Sequence, residues 1–456
     1  MTTKTNEMKW LKRLSPILIP VVIVAGVIGY VAWRTRRITT PERRWKRFDH
    51  PDSIPLAASI CQAMQGIYAV KAGHHFLGNT AVLKYSYVVE EAETVHHLSL
   101  FFEKEGIYML GEVRQRGRDI LIKGHWRRAA ANGTGLMWLV MKNGARAVRY
   151  RRPNKPLGIY GTFGRGNNRP RRPLSLLLLE PLPEVPQFDI LAHRGGCRNV
   201  DFLSISENTT GMVKLAAQLG ANGIEIDVRM TKDNIPIIFH DSFLSIHTVQ
   251  NMVYGGLLHN YTLEEVQKLE LRNGGRVPTL EEMLYTVLYQ TPLEVVWLDM
   301  KKECDLSLVH RLQDEYHRRA AAINRNLTIY IGIPDDYMLN CFKALENYQT
   351  VPSLTELSWE VALEINAEAW APQYTGGYQQ EKVAKIHEAG KKAYVWSLDT
   401  DFMVEAYVSE GRYDGLVTNT APVVSYWLYT KHRKEPVKKP KPVPLLFLMA
   451  AFSSVF

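Results

Sequence analysis

The chain is expected to be an α/β protein centred on a TIM (β/α)8 barrel, preceded by a transmembrane helix and a small antiparallel all-β domain. Three observations predict this. From residue 188 onward, short apolar runs alternate with helix-period segments for about 240 residues, the scale of one such barrel. Histidines and carboxylates fall at or just beyond the ends of those runs, where this architecture puts its chemistry. Upstream lie an aromatic, β-branched region with regular turns and, before it, twenty residues without a charge.

The uncharged run is Leu14–Trp33. At about 1.5 Å per residue it is about 30 Å long as a helix, the thickness of a hydrocarbon core. It runs straight into Arg34, Arg36 and Arg37 with no small-residue cleavage site, so an uncleaved single-pass anchor is expected rather than a signal peptide. Lys4, Lys9, Lys12 and Arg13 precede it, whereas Arg34, Arg36, Arg37, Arg43, Arg44, Lys46 and Arg47 follow it. That count favours a cytoplasmic catalytic domain.

Residues 59–160 read as strands. Ala81–Val89, His97–Phe102, Gly106–Leu110 and Asp119–Lys123 are rich in β-branched and aromatic residues, with hairpin signals at Glu103–Gly106, Asn132-Gly133 and Asn143-Gly144. They predict a small antiparallel sandwich or barrel without a chemical motif. Between 161 and 187 Gly, Arg and Pro crowd together, which predicts a linker, and the glycine spacing fits no phosphate loop.

The barrel is expected over 188–428. Its strand candidates are Phe188–Ala192, Gly223–Val228, Glu294–Met300, Leu327–Ile331, Ala367–Ala371, Ala393–Ser397 and Gly415–Val417. Helical segments at Thr210–Leu219, Leu306–Arg319, Asp336–Leu345, Gln380–Ala389 and Met403–Val408 fall between them. The remainder, 429–456, is a Lys/Pro-rich stretch with a short apolar end, too short to span a bilayer.

A net charge of +10 and a pI near 9.2 invite a nucleic-acid reading. The basic residues instead cluster beside apolar or linker segments, at 34–47, 151–172 and 431–441, which suits an anionic membrane surface. No zinc-finger, RNA-recognition or basic-zipper pattern is present, so no nucleic-acid partner is expected. Cys61, Cys197, Cys304 and Cys341 form no metal or redox spacing. No protein partner can be named from the sequence.

The chemistry concentrates in 191–241: His193-Arg194-Gly195, Glu207-Asn208-Thr209, Ile224-Glu225-Ile-Asp227-Val228, Thr231-Lys-Asp233 and His240-Asp241. Glu225 and Asp227 are two apart, so on a strand they share a face. Paired carboxylates with imidazoles nearby suit a hard divalent cation and an acid/base pair. Asp299 is the expected third ligand, and Glu207 is expected either to add a further ligand oxygen or to position a neighbour. An all-oxygen set favours Mg2+ or Ca2+ over zinc. Arg194 and Lys301 add positive charge that would offset an anionic substrate, and His193 and His240 can move protons near neutral pH.

This ordered set resembles the glycerophosphodiester phosphodiesterase family over roughly 186–428, together with Pro278–Glu282, Trp297–Lys301, Val395–Ser397 and Asp414–Asn419. The resemblance implies metal-dependent hydrolysis of glycerophosphodiesters to an alcohol and glycerol phosphate, with His193 and His240 as the acid/base pair, Arg194 and Lys301 against the phosphate and Trp396 contacting substrate. One departure stands out: the family usually has glutamate where this chain has Asp299. Asp299-Met-Lys301 is also similar to sphingomyelinase D toxins. Phospholipase D-like action on a lysophospholipid or sphingolipid is therefore the rival reading. A non-catalytic barrel that binds lipid headgroups or a partner is a second.

Overall fold

The structure, a computed structural model, describes residues 20–26, 29, 39–104, 106–150, 157–185, 187–201, 203–250, 252 and 255–432. It holds two closed sheets. The first is antiparallel and comprises β1 (Ser53–Pro55), β2 (Gly66–Ala72), β3 (Thr80–Glu90), β4 (Glu93–Phe102), β5 (Ile107–Arg116), β6 (Asp119–Arg128), β7 (Thr134–Met141), β8 (Gly158–Phe163) and β9 (Arg172–Glu180). Consecutive strands from β2 to β9 pair as neighbours, and β9 pairs back onto β2, giving an up-and-down barrel; β1 adds to the free end of β5. Alternation explains the packing. Ile107, Met109 and Val113 of β5 point inward, whereas Tyr108 and Leu110 point outward.

This sheet overturns three expectations. The stretch 161–187 is not a bare linker, because it contains the end of β8 and all of β9, the strand that closes the barrel. Arg169–Pro173 masked it. Pro173 sits at the second position of β9, where a strand tolerates proline, and Leu174, Leu176 and Leu178 then turn into the core. The strands thus extend beyond 59–160 on both sides. Asn143-Gly144 likewise makes no hairpin turn; it starts the short helix Gly144–Arg149.

The second sheet is built from parallel β10 (Asp189–Ala192), β11 (Gly223–Met230), β13 (Val295–Met300), β14 (Thr328–Ile333), β15 (Ser353–Thr355), β16 (Ala369–Trp370), β17 (Lys392–Val395) and β18 (Gly415–Thr418), closed by β10 pairing with both β18 and β11. The short β12 (Pro236–Ile238) lies antiparallel on β11. This is the (β/α)8 barrel. Leu191, Trp297, Tyr330, Leu354, Tyr394 and Val417 form one buried cluster, while Ile224, Ile226 and Val296 belong to the larger core they share with helix residues. The strand β15 and the helix Trp359–Glu364 escaped the sequence pattern because each is only a few residues long. Between β12 and the helix Leu280–Gln290 an insertion has its own small core of Phe239, Leu244, Val249, Leu258 and Val266.

The two barrels share a core. Outward-facing Ile67, Val82, Phe101, Tyr108 and Leu110 join one buried cluster with Cys197, Met212, Val424 and Leu428 of the (β/α)8 unit. Burial of each large aliphatic side chain contributes about 1.5–3 kcal/mol. Lys84 Nζ donates to the Gly220 carbonyl at 3.0 Å, and the hydroxyls of Thr80 and Tyr426 lie 2.6 Å apart.

The anchor expected at 14–33 lies largely outside the described residues. Of it, 20–26 and 29 are helical, with Val21–Val24 exposed. No helix among the described residues is long and apolar enough to cross a membrane. The expected tail falls outside them from residue 433 on.

Candidate active site

Strand β11 supplies Glu225 and Asp227, both buried, on one face of the sheet. The parallel register sets Asp227 directly opposite Asp299 of β13. Each of the three carboxylates offers an oxygen within 4.8 Å of the others. Like charges side by side on neighbouring strands destabilise a sheet unless something neutralises them. Part of the compensation is Lys301, one residue beyond β13, whose Nζ lies 2.8 Å from Asp227 Oδ1 and 2.6 Å from Asp299 Oδ2. Asn208 Nδ2 donates to Asp227 Oδ2 at 2.7 Å. Asp227 is consequently held well below the ordinary aspartate range despite its burial, chiefly by Lys301. Glu225 moves the other way, pushed up by burial and by Asp227 and Asp299.

This set fits a divalent cation. Asp299 Oδ1 is buried and lacks a hydrogen-bond partner, and burial with Asp227 beside it raises the Asp299 carboxyl, so an oxygen ligand and uncompensated negative charge coincide. Glu225, Asp227 and Asp299 would hold the ion. Glu207, expected as a further ligand or a positioner, does not join them, which corrects the ligand assignment. Its Oε1 accepts from Arg194 Nη1 at 2.8 Å and its Oε2 from the Asn199 backbone N–H at 2.6 Å. It fixes the arginine instead.

His193, Arg194 and Gly195 form the turn that leaves β10. Arg194 (φ 52°) and Gly195 (φ 79°) are both left-handed, and this sharp reversal brings the Arg194 amide to Glu225 Oε2 at 2.9 Å. At Gly195 a Cβ would carry the positive-φ penalty and meet Val213 Cγ2 at 3.1 Å.

The two histidines are held differently. His193 Nδ1 lies 2.8 Å from Asn419 Oδ1, and Asn419 Nδ2 donates to Asp399 Oδ2 at 2.8 Å. The amide orientation makes Nδ1–H the donor, leaving Nε2 with its lone pair, 3.7 Å from Glu225 Oε2. Burial, followed by the Arg194 charge, pushes the imidazole down to about 4. His240 places Nδ1 2.7 Å from Asp241 Oδ1, and its backbone carbonyl accepts from Arg229 Nε at 2.9 Å. His240 lines a small recess together with Asn208, the residue that donates to Asp227.

Trp396, at the end of β17, packs on the barrel's inner cluster and donates its indole N–H to the Ala371 carbonyl at 3.0 Å. A cleft of about 420 Å3 opens beside Asp299 and Lys301, bordered by Arg229, Ser242, Asp335 and Glu356. Glu356, just past β15, was not foreseen: burial and then Asp299 raise its carboxyl to about 8. Asn208 and Asn419 stood inside recognised motifs without an assigned role. Asp399 and Glu356 had no local sequence signal.

A (β/α)8 barrel with three carboxylates, a lysine, an arginine and two histidines at the C-terminal ends of its strands belongs to the class of phosphodiester-cleaving hydrolases. The glycerophosphoryl diester phosphodiesterase family model matches residues 193–422, half of the chain. The chain belongs to that family, which is enzymatic, divalent-metal dependent and hydrolyses glycerophosphodiesters. Among its relatives, a glycerophosphodiester phosphodiesterase of Caldanaerobacter subterraneus is 27% identical over 242 residues, covering 50% of this chain and 93% of that protein. Mouse glycerophosphodiester phosphodiesterase 1 is 32% identical over 143 residues, 29% of this chain and 39% of the mouse protein. The crystal structure of a glycerophosphodiester phosphodiesterase from Parabacteroides distasonis is 19% identical, with a TM-score of 0.44, covering 54% of this chain and all of that one.

Proposed function

We propose that this chain cleaves a glycerophosphodiester with water, using His193 as base and His240 as acid beside a Mg2+ or Ca2+ ion held by Glu225, Asp227 and Asp299. The observation that carries the assignment of roles is the Asp399–Asn419–His193 chain of hydrogen bonds, which leaves His193 Nε2 as the open proton acceptor at the carboxylate cluster. When bound, the cation neutralises non-bridging phosphoryl oxygens. Arg194, tied to Glu207, and Lys301, tied to Asp227 and Asp299, place fixed positive charge where the phosphate must sit. His193 Nε2 takes the proton of the attacking water, and His240 delivers one to the departing alkoxide. Trp396 borders the bound substrate.

The sequence run 14–33 supports a single membrane anchor, and the positive-residue count favours the cytoplasmic side for the catalytic barrel. A membrane-held enzyme could also reach a lysophospholipid or sphingolipid, and Asp299-Met-Lys301 favours that second reading of the substrate. The deciding experiment assays glycerophosphocholine and lysophosphatidylcholine side by side after chelation, with Mg2+ and Ca2+ added back separately. Restoration on glycerophosphocholine supports the proposal. Full turnover without metal defeats it.

A further inference from the structure

Exposed large hydrophobic side chains are unevenly distributed on the (β/α)8 barrel. Val200 (54% exposed) lies on the loop after β10, and Phe243 (48%), Ile246 (51%) and Leu257 (42%) lie on the insertion after β12. Tyr374 (37%) follows β16, and Phe402 (67%) follows β17. All six stand at the end of the barrel where the strands terminate and the active site opens. On the loops at the opposite end, Ile323 alone is such a residue among the described ones. Phe243 and Leu257 bridge each other in the backbone, so the insertion presents them together. Apolar side chains collected around an active-site mouth mark a surface that meets something apolar.

The chain's own connectivity says what that is. The apolar run ends at Trp33, and Thr40 is hydrogen-bonded to Ser204 through their hydroxyls. Ser204 lies between the end of β10 and the helix Thr210–Ala216, on the mouth side of the barrel. The seven residues from Arg34 to Thr40 reach at most about 25 Å when fully extended. A bilayer spanned by the run is therefore tethered next to the mouth, not to the opposite end. Arg34, Arg36 and Arg37 lie in that tether, suited to anionic headgroups.

We propose that the barrel docks mouth-down on the bilayer that holds its anchor, with Phe243, Ile246, Leu257, Tyr374, Phe402 and Val200 entering the headgroup–acyl boundary. A phosphodiester at a lipid surface would then reach the carboxylate cluster without crossing bulk water. The inference rests on the reading of 14–33 as an anchor, and the test separates the two.

Full-length protein is reconstituted into phosphatidylcholine vesicles containing one-fifth phosphatidylserine and a phosphatidylcholine whose acyl chain carries a photoreactive diazirine near the carbonyl. High-salt washing comes first: loss of the protein from the vesicles overturns the anchor and the docking with it. In protein that stays bound, cross-links are expected at 200, 243–257, 374 and 402. Cross-links confined to 14–33, or clustered around Ile323, overturn the docking while leaving the anchor standing. A functional arm uses the double variant Phe243→Asp with Phe402→Asp. Its ratio of turnover on vesicle-borne lysophosphatidylcholine to turnover on soluble glycerophosphocholine should fall at least tenfold, on the order of the loss expected for apolar burial. An unchanged ratio overturns the proposal, and the cross-linking arm needs neither variant folding nor activity.

Discussion

His193 Nδ1 and Asn419 Oδ1 meet at 2.8 Å across 226 residues of sequence, joining the first strand turn of the catalytic barrel to its last. Asn419 is itself gripped twice by Asp399, through its amide side chain at 2.8 Å and its backbone N–H at 2.7 Å. The bond sets which ring nitrogen carries the proton and which way the ring points. Asn419→Ala should therefore lower kcat about 10- to 100-fold, the usual cost of removing a group that orients a catalytic or metal-bound imidazole. Affinity for the metal, measured by calorimetry, should stay near wild type because Glu225, Asp227 and Asp299 are untouched. Equal loss of metal affinity and turnover would show that Asn419 supports the site as a whole.

The two histidines themselves should behave as proton movers and not as packing. His193→Ala and His240→Ala are each expected to cut turnover by about 10² or more. Thermal midpoints should move little, since neither ring belongs to a buried hydrophobic cluster. Unfolding of both variants under assay conditions would reassign them to structure.

What was legible beforehand follows from sequence distance. Glu225 and Asp227 declare themselves because two-residue spacing on a strand is a local property, and His193-Arg194 and His240-Asp241 are contiguous. The partners that orient them are not local. Asp399 is hydrogen-bonded to His193 through Asn419, and Glu356 joins the cleft because β15 lies two strands from β13. The same limit applies to the fold. The strand β9 was hidden by an arginine-proline run at its start, since its leucines alternate only after Pro173. Glu207 shows a related limit: motif position alone leaves ligand and positioner both open, and only the contacts of its two oxygens, with Arg194 and the Asn199 amide, separate them.

Asp299 gives the sharpest test of the metal site. Its Oδ2 is already engaged by Lys301, so Oδ1, buried and without a hydrogen-bond partner, is the oxygen left for a cation. Asp299→Asn keeps the shape but removes the charge, and metal affinity should fall at least tenfold with a parallel loss of turnover. Asp299→Glu restores the residue usual in the family and should retain a measurable part of both. Undiminished metal binding in Asp299→Asn would remove Asp299 from the ligand set.

The anchor reading predicts how the protein fractionates. Full-length chain should remain with membranes through washing at 1 M salt, where the Debye length is about 3 Å and attraction between the basic clusters and lipid headgroups is screened. Burial of a spanning apolar helix is not screened. Release by salt alone would assign membrane attachment to the basic residues at 34–47 instead.

Part of the acid sensitivity should arise in the β-barrel, beside the contribution of His193, whose imidazole burial also lowers. His97 and His125 lie on its outward side, and His125 pairs across the strands with Leu110, one of the residues buried against the catalytic barrel. Burial, with His96 nearby, lowers His97 to about 4, and burial, with the Arg127 charge beside it, lowers His125 to about 3. The unfolded chain binds these protons near pH 6.5. Because the folded values are depressed, the neutral forms support the fold fully above pH 6.5. Stability is then lost as pH falls toward 4, where the unfolded state holds more protons. Each ring contributes a slope of about 1 kcal/mol per pH unit or less, since both are partly exposed. His125→Gln should therefore flatten the dependence of the thermal midpoint on pH between 6.5 and 4, measured by calorimetry, even if it lowers the midpoint at pH 7. A wild-type slope in that variant would place the acid-labile groups elsewhere in the chain.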